Sequence, residues 1–514
     1  MPFASFRQFG GRAPAEPIPR RQKCVASAAA ATLLWATWAL TASTPATLLV
    51  ATALSALTFA LLFVPVGGED SAASAKLNLS RLLRFPLFWI GVLLWLYIVA
   101  QGCVPGLSVI WKETSWSLKL VPDAPQWFPT GIDAPFGFET SIGGNAWREL
   151  CHFGSAWMLL CALWCGVRSR RLWKALLWAF ALNALVLAGF GLYRLAMGTG
   201  ASYLGVKGFQ FFSAFSYKNH AGAFFTLAIA VCAGLGLRQW REAARECRRG
   251  GPHLILLVFG LIFLGTVFAT KSVGGVFLAV CWLPLALVLV AFSGLMSRDA
   301  WIPFGVFLLM LLGVAGTWWA TADTSVFFSR VDQKVAEGEL PDVEGAVARE
   351  ENPFETFSLD KGSRAELRRL SAKMYRQNTH TEIFGWGAGS YRWVAPVFQL
   401  SMDEFTRVDR RTGKKRLISR TEYAHCDPWH FLVEWGAVGG GIFFAGVAWF
   451  FGWALLNVRR WRASSVALLA GTLIFCAHAC VEFVSFNLAL LFSVALLAAA
   501  FRADLRRDGD GRSR

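Results

Sequence analysis

The sequence predicts an all-α, polytopic integral membrane protein of about twelve transmembrane helices, and three observations carry that expectation. Hydrophobic residues fill 55% of the 514 positions, with 24 Trp and 43 Phe, well beyond what a water-facing domain carries. Apolar runs of roughly the 20 residues needed to cross a hydrocarbon core recur near 24–42, 46–66, 86–104, 149–167, 173–193, 219–237, 253–270, 273–293, 300–320, 430–457, 464–482 and 487–501. Basic residues then alternate between the intervening segments: Arg7, Arg20, Arg21 and Lys23 precede the first run, Lys76, Arg81 and Arg84 follow the second, and Arg168, Arg170, Arg171 and Lys174 mark the fourth. The alternation continues through Arg238 to Arg249, Arg298, Arg459 to Arg462 and Arg502 to Arg514. On the positive-inside rule this places both termini in the cytoplasm and accounts for the formal net charge of +17.

The division that follows is a cytoplasmic tail over 1–23, nine spans over 24–320 with an outer loop at 105–148, a large outer loop over 321–429, three spans over 430–501, and a cytoplasmic tail over 502–514. The first apolar run has no small-residue cleavage pattern after it, so it reads as a retained span. The 105–148 loop is rich in Pro, Gly and Trp. The larger loop has a helical pattern at 363–377, a glycine cluster in FGWGAGSYRW (384–393), and a solvated stretch between them and the ninth span. A composition this apolar excludes a nucleic-acid partner. The 11 cysteines fall mostly in apolar runs, which describes neither a disulfide framework nor a zinc site.

The polar residues that this arrangement gathers at one face carry the chemistry. AHCDPWHFLVEWGAVGG (424–440) sets His425, Asp427, His430 and Glu434 where the large loop becomes a helix. Asp427-Pro428 reads as an N-cap followed by a first-turn proline, which leaves His425 outside the helix and puts His430 and Glu434 on one face of it, beside an N-terminal dipole that favours anions. Lys218, Asn219 and His220 open the sixth run, Lys271 and Ser272 lie between the seventh and eighth, Arg364 and Arg392 are in the large loop, and His478 and Glu482 sit one helical turn apart at the end of the eleventh. Cations beside candidate bases suit a substrate with a phosphate or diphosphate leaving group, because Lys and Arg neutralise developing charge while His or Glu takes a proton from an attacking hydroxyl. Snorkelling of Lys218 and Lys271, an interhelical packing role for the His478 and Glu482 pair, and a solvated helix face around Arg364 stand as the structural alternatives. The acidic residues show no metal-ligand spacing, so neither a metal nor a cofactor is expected.

Several segments resemble the O-antigen ligase and polymerase superfamily of bacterial envelope proteins. His425-Cys426-Asp427 through Glu434-Trp435-Gly436 to Gly439 is similar to that family's histidine-led entry into the helix after its large loop. SYKNHAGAF (216–224), SRAELRRLSAKMY with FGWGAGSY, and AHACVEFVSFNL (477–488) resemble further segments, so the likeness covers roughly the second half of the chain. The chain departs from the pattern at Lys271-Ser272-Val273-Gly274, where an arginine is usual, and at Cys426, where asparagine is usual. The resemblance implies a GT-C-like membrane glycosyltransferase of the inner membrane, inverting, with its site facing the periplasm. It would move a glycan from a polyprenyl diphosphate carrier to a lipid A core, glycan or protein hydroxyl, with the lipid bilayer as partner. His425 and Glu434 would be catalytic, Lys218, Lys271, Arg364 and Arg392 would hold the diphosphate, and Asn219, His220, His430, His478 and Glu482 would support the acceptor. Repeat-unit polymerisation and protein O-glycosylation stay open within the class. A transporter or flippase stands outside it.

Overall fold

The computed structural model of the chain describes residues 17–66, 71–112, 115–137, 144–198, 202–207, 211–246, 251–292, 363–408, 415–418 and 420–505. Helices form over α1 (Arg20–Trp38), α2 (Pro45–Ala60), α3 (Ser71–Leu83), α4 (Pro86–Cys103), α5 (Ala146–Gly166), α6 (Arg170–Ala196), α7 (Lys218–Arg245), α8 (Pro252–Ala269) and α9 (Val273–Phe292). After the undescribed stretch come α10 (Ser363–Tyr375), α11 (Thr379–Phe384), α12 (Tyr391–Gln399), α13 (Asp427–Leu456), α14 (Ala463–Ala479) and α15 (Leu488–Asp504). Their starts follow local chemistry. Pro45, Pro86 and Pro252 occupy first-turn positions where their missing N–H costs nothing, and Asn145 caps α5 by accepting from Arg148 N.

The expectation of about twelve membrane-spanning helices is corrected. Among the described residues, five helices are long and apolar enough to cross a membrane: Pro86–Cys103, Arg170–Ala196, Lys218–Ala244, Pro252–Ala269 and Asp427–Leu456. Three more, Pro45–Ala60, Val273–Ala286 and Ala463–Ala479, are apolar but shorter. At 1.5 Å per residue a 16-residue helix such as α2 reaches only about 24 Å against a hydrocarbon core of about 30 Å. The predicted run at 300–320 lies outside the described residues.

The physical reason is that hydropathy reports a demand for burial and not how that demand is met: half of the most apolar window of α6 is buried inside the molecule, and 22–28% of those of α4, α8 and α13. In α7, 83% of the most apolar window is buried inside the molecule. With five such helices among the described residues, the reading as a polytopic glycosyltransferase of the inner membrane, drawing on a polyprenyl diphosphate carrier at a periplasmic face, loses its architectural basis. The ligase, polymerase, protein-glycosylation and flippase versions all required it. So did the bilayer as a partner and the inner-membrane placement with both termini in the cytoplasm.

Nor is the chain all-α. In the 105–148 segment, β1 (Pro105–Lys112) pairs antiparallel with β2 (Ser115–Leu120) and parallel with β3 (Gly131–Asp133), giving the order β2-β1-β3. Two short ribbons add β4 (Ser202–Tyr203) with β5 (Val206–Lys207), and β6 (Thr406–Val408) with β7 (Lys415–Leu417).

The main core is built by α1, α2, α5, α6, α7, α8, α9, α14 and α15, with Phe224, Phe225, Phe263 and Phe492 fully buried. A second core forms where α10, α12 and the sheet meet α13, around Leu367, Leu370, Met374, Trp393 and Val433. A third, holding Tyr97, Ile98, Phe153, Phe431 and Trp435, joins α4 and α5 to α13. Tyr97 locks that joint by donating its hydroxyl toward both Phe384 O and Trp435 O at 2.8 Å. At the same junction two backbones pass so closely that only glycine fits. Gly436 has φ +63°, and a Cβ there would lie 2.4 Å from Ile383 O.

Candidate functional site

The site begins with the way the chain enters α13. Cys426 is the extended N-cap and the helix starts at Asp427, whose carboxylate makes no cap. Asp427 instead reaches across the fold, where its Oδ2 accepts from Ser485 N at 2.8 Å. This corrects the N-cap expectation while leaving His425 outside the helix. His425 itself has φ +49°, a left-handed conformation uncommon for a side chain with a Cβ and adopted by histidine more often than by most such residues.

His425 points at Glu482, which lies in the turn after α14. Its Nδ1 is 2.9 Å from Oε1 and 3.2 Å from Oε2 of the carboxylate. Arg364, from the first turn of α10, donates Nη2 to Oε1 at 3.0 Å. Tyr217 and Asn219 at the start of α7 complete the set. The Tyr217 hydroxyl donates to Oε1 at 3.4 Å, and Asn219 Nδ2 donates to Oε2 at 3.4 Å and to the Tyr217 oxygen at 2.7 Å. Glu482 has 1% of its side chain exposed. Burial by itself would raise its pKa, yet the hydrogen bond and attraction of His425, with Arg364 and His478, outweigh burial and hold the carboxyl below its ordinary value. The carboxylate therefore stays charged, and an ionised partner fixes Nδ1 as the donor in the pair.

Aromatic packing encloses this pair. Phe483 stacks on Tyr423 at 4.4 Å and on Tyr217 at 5.2 Å, while His425 and His220 meet its ring edge-on at 4.7 and 4.8 Å. Rotating His425 out of line would break that edge-to-face contact.

The other residues singled out in the sequence divide into those beside the pair and those in a second cluster. His478, buried near the end of α14, lies within electrostatic reach of Glu482. The helix stops at Ala479, so Glu482 is off the helical face that its spacing from His478 implied. His220 is buried and hydrogen-bonds Asn487 at 3.2 Å. Lys218 is half-buried and Lys271 is exposed, in the tight turn between α8 and α9 with φ +53°. Neither has an ion-pair partner among the described residues, and Lys218 lies within electrostatic reach of both Lys271 and Glu482.

Glu434 belongs elsewhere. Its Oε1 accepts from Tyr391 N and its Oε2 from Gly389 N, both at 2.9 Å, and His430 Nε2 stands 3.1 Å from Oε1. Trp386 N and Gly387 N also bond the α13 backbone, at Val433 O and Glu434 O. The glycine cluster is thus wrapped around one turn of α13 with the Glu434 carboxylate at its centre, and His430 stacks on Tyr391 at 4.5 Å. Arg392 is also one layer removed from Glu482. Its Nη2 donates to the Tyr423 hydroxyl at 3.0 Å. Burial would lower its pKa, but Tyr423, Glu422, Glu149 and Glu434 together raise it, so the guanidinium remains charged.

Tyr217, Tyr423 and Phe483 were not singled out in the sequence. Phe483 is one of 43 Phe and carried no signal, whereas Tyr217 and Tyr423 are two of only 7 Tyr, and their positions next to Lys218 and near His425 could have marked them. Among the described residues no three His, Cys, Asp or Glu side chains gather as metal ligands. No protein-family model and no curated protein matches the chain.

Proposed function

We propose that the chain is a glycosyltransferase that moves a sugar from a phosphate or diphosphate leaving group to a hydroxyl by single displacement, with His425 as the base. The observation that carries this reading is the contact of His425 Nδ1 with both oxygens of the buried Glu482. A carboxylate held at one ring nitrogen orients the imidazole and stabilises its protonated form, so that Nε2 exchanges the proton. In the step, the acceptor oxygen bonds to the anomeric carbon while its proton passes to His425 Nε2. The bond from that carbon to the phosphate oxygen breaks, and its electron pair leaves with the phosphate. Arg364, half exposed, with Lys218 and Lys271, supplies positive charge for the departing oxygen. The likeness of His425 through Gly439 to the O-antigen ligase and polymerase superfamily supports the same displacement chemistry, and kinship with that superfamily is proposed on this segment alone, without its membrane architecture or polyprenyl carrier.

A single displacement fixes the stereochemistry. With a glycosyl diphosphate of defined anomeric configuration and a simple alcohol acceptor, NMR of the product should show the opposite configuration. Retention would contradict direct attack assisted by one base.

A further inference from the structure

Glu482 serves two partners that differ in access to solvent. His425 and Glu482 are nearly sealed, with 9% and 1% of their side chains exposed, whereas the Arg364 side chain is 47% exposed. All three meet at one oxygen, since His425 at 2.9 Å and Arg364 at 3.0 Å both contact Oε1. Among the described residues Arg364 spends one donor on Glu482, and a guanidinium has five, arranged to grip two oxygens of a phosphate. An incoming anion is thus matched to the cation that now steadies the carboxylate.

The remaining charged and titratable neighbours are placed differently. His478 of α14, Lys218 and His220 of α7 and Asp427 of α13 lie within electrostatic reach of Glu482 without hydrogen-bonding it among the described residues. Tyr217 donates weakly to Oε1, Tyr423 and Cys426 flank His425 on its own segment, and Arg368 of α10 turns to Cys480 O. Arg364 is the cation among them that both bonds the carboxylate and opens to solvent.

We propose that Arg364 is the residue through which the anionic group of the donor sets the strength of the base: the anion draws the guanidinium from Glu482, and the carboxylate then pulls harder on the proton at His425 Nδ1. Charge released at Oε1 stabilises the imidazolium that forms when His425 accepts a proton, so the base reaches full strength only when a leaving group is in place. Water meets a weaker base in the empty site, which limits wasteful hydrolysis. This rests on the base role given to His425.

The test uses the full chain and inorganic pyrophosphate as the anion. Modification of His425 by diethyl pyrocarbonate, which attacks neutral imidazole, is followed by peptide mass spectrometry across the neutral pH range. Saturating pyrophosphate should move the midpoint of modification upward by about one pH unit. Glu482→Gln should abolish most of that displacement, and Arg364→Gln should show the raised midpoint without the anion and little further change with it. Arg364→Lys, which keeps the charge, should retain part of the response and controls for folding. An unmoved midpoint in the wild type overturns the proposal, and so does an undiminished displacement in Glu482→Gln, because the anion would then act on His425 directly. The base role fails separately, through normal glycosyl transfer by His425→Ala.

Discussion

Replacing His425 by alanine should reduce glycosyl transfer by about 10²–10⁴-fold, the usual contribution of a positioned general base. The fold should survive, because the side chain stands ahead of the first turn of α13 and removes neither its start at Asp427 nor the Asp427 contact to Ser485 N. Glu482 keeps Arg364, Tyr217 and Asn219 as donors, so no buried charge is stranded. The lost hydrogen bond costs about 1–3 kcal/mol. Alanine meets the left-handed backbone at φ +49° somewhat less easily than histidine, which is enriched there, so a small added strain accompanies the variant. Transfer measured at matched protein levels, beside a denaturant melt, checks both parts. Near-normal transfer would remove the imidazole from the chemistry.

Glu434→Ala should act on stability before anything else. The carboxylate receives Gly389 N and Tyr391 N at 2.9 Å and faces His430 Nε2 at 3.1 Å, with 2% of its side chain exposed. Truncation leaves two buried amides and an imidazole without their acceptor, and each buried group left unsatisfied costs about 1–3 kcal/mol. The loss should appear as a lower denaturant midpoint and as faster hydrogen exchange at Gly389 and Tyr391. Glu434→Gln, which keeps one acceptor and the volume, should fall between. An alanine variant as stable as the wild type, with unchanged exchange at those amides, would contradict the clamp.

Helix locations could be read in the chain, because apolar runs between basic segments are a strong local signal. What those runs are buried against could not. The same leucine and phenylalanine patterns serve a helix enclosed by its neighbours, as α7 is, and one that faces lipid, so counting runs gave more spanning helices than the described residues hold. The strands at 105–133 were hidden for a different reason. In PGLSVIWK the alternation is short and sits between turn-forming segments, and a three-residue partner such as β3 carries no periodicity of its own.

At the site, most of the chemistry-bearing residues could be named and their pairing could not. Spacing along a helix correctly sets His430 beside Glu434, since i and i+4 share a face. The same rule misleads at His478 and Glu482, where the helix ends between them. The pairing of His425 with Glu482, 57 positions apart, arises only when the turn after α14 folds against the entry to α13. No local pattern encodes that contact, and Phe483, which joins Tyr217 and Tyr423 into one aromatic ladder beside it, is one phenylalanine among 43.

If His425 and Glu482 act as one unit, a double-mutant cycle on the transfer rate shows it. His425→Ala, Glu482→Gln and the double variant are compared with the wild type at matched levels of folded protein. Groups that work through each other are strongly non-additive, so the double variant should be slower than His425→Ala by no more than about threefold, within the scatter expected of a fully coupled pair. If instead the two losses multiply, each side chain contributes on its own, and the pairing at 2.9 Å is a packing contact rather than the working part of the site.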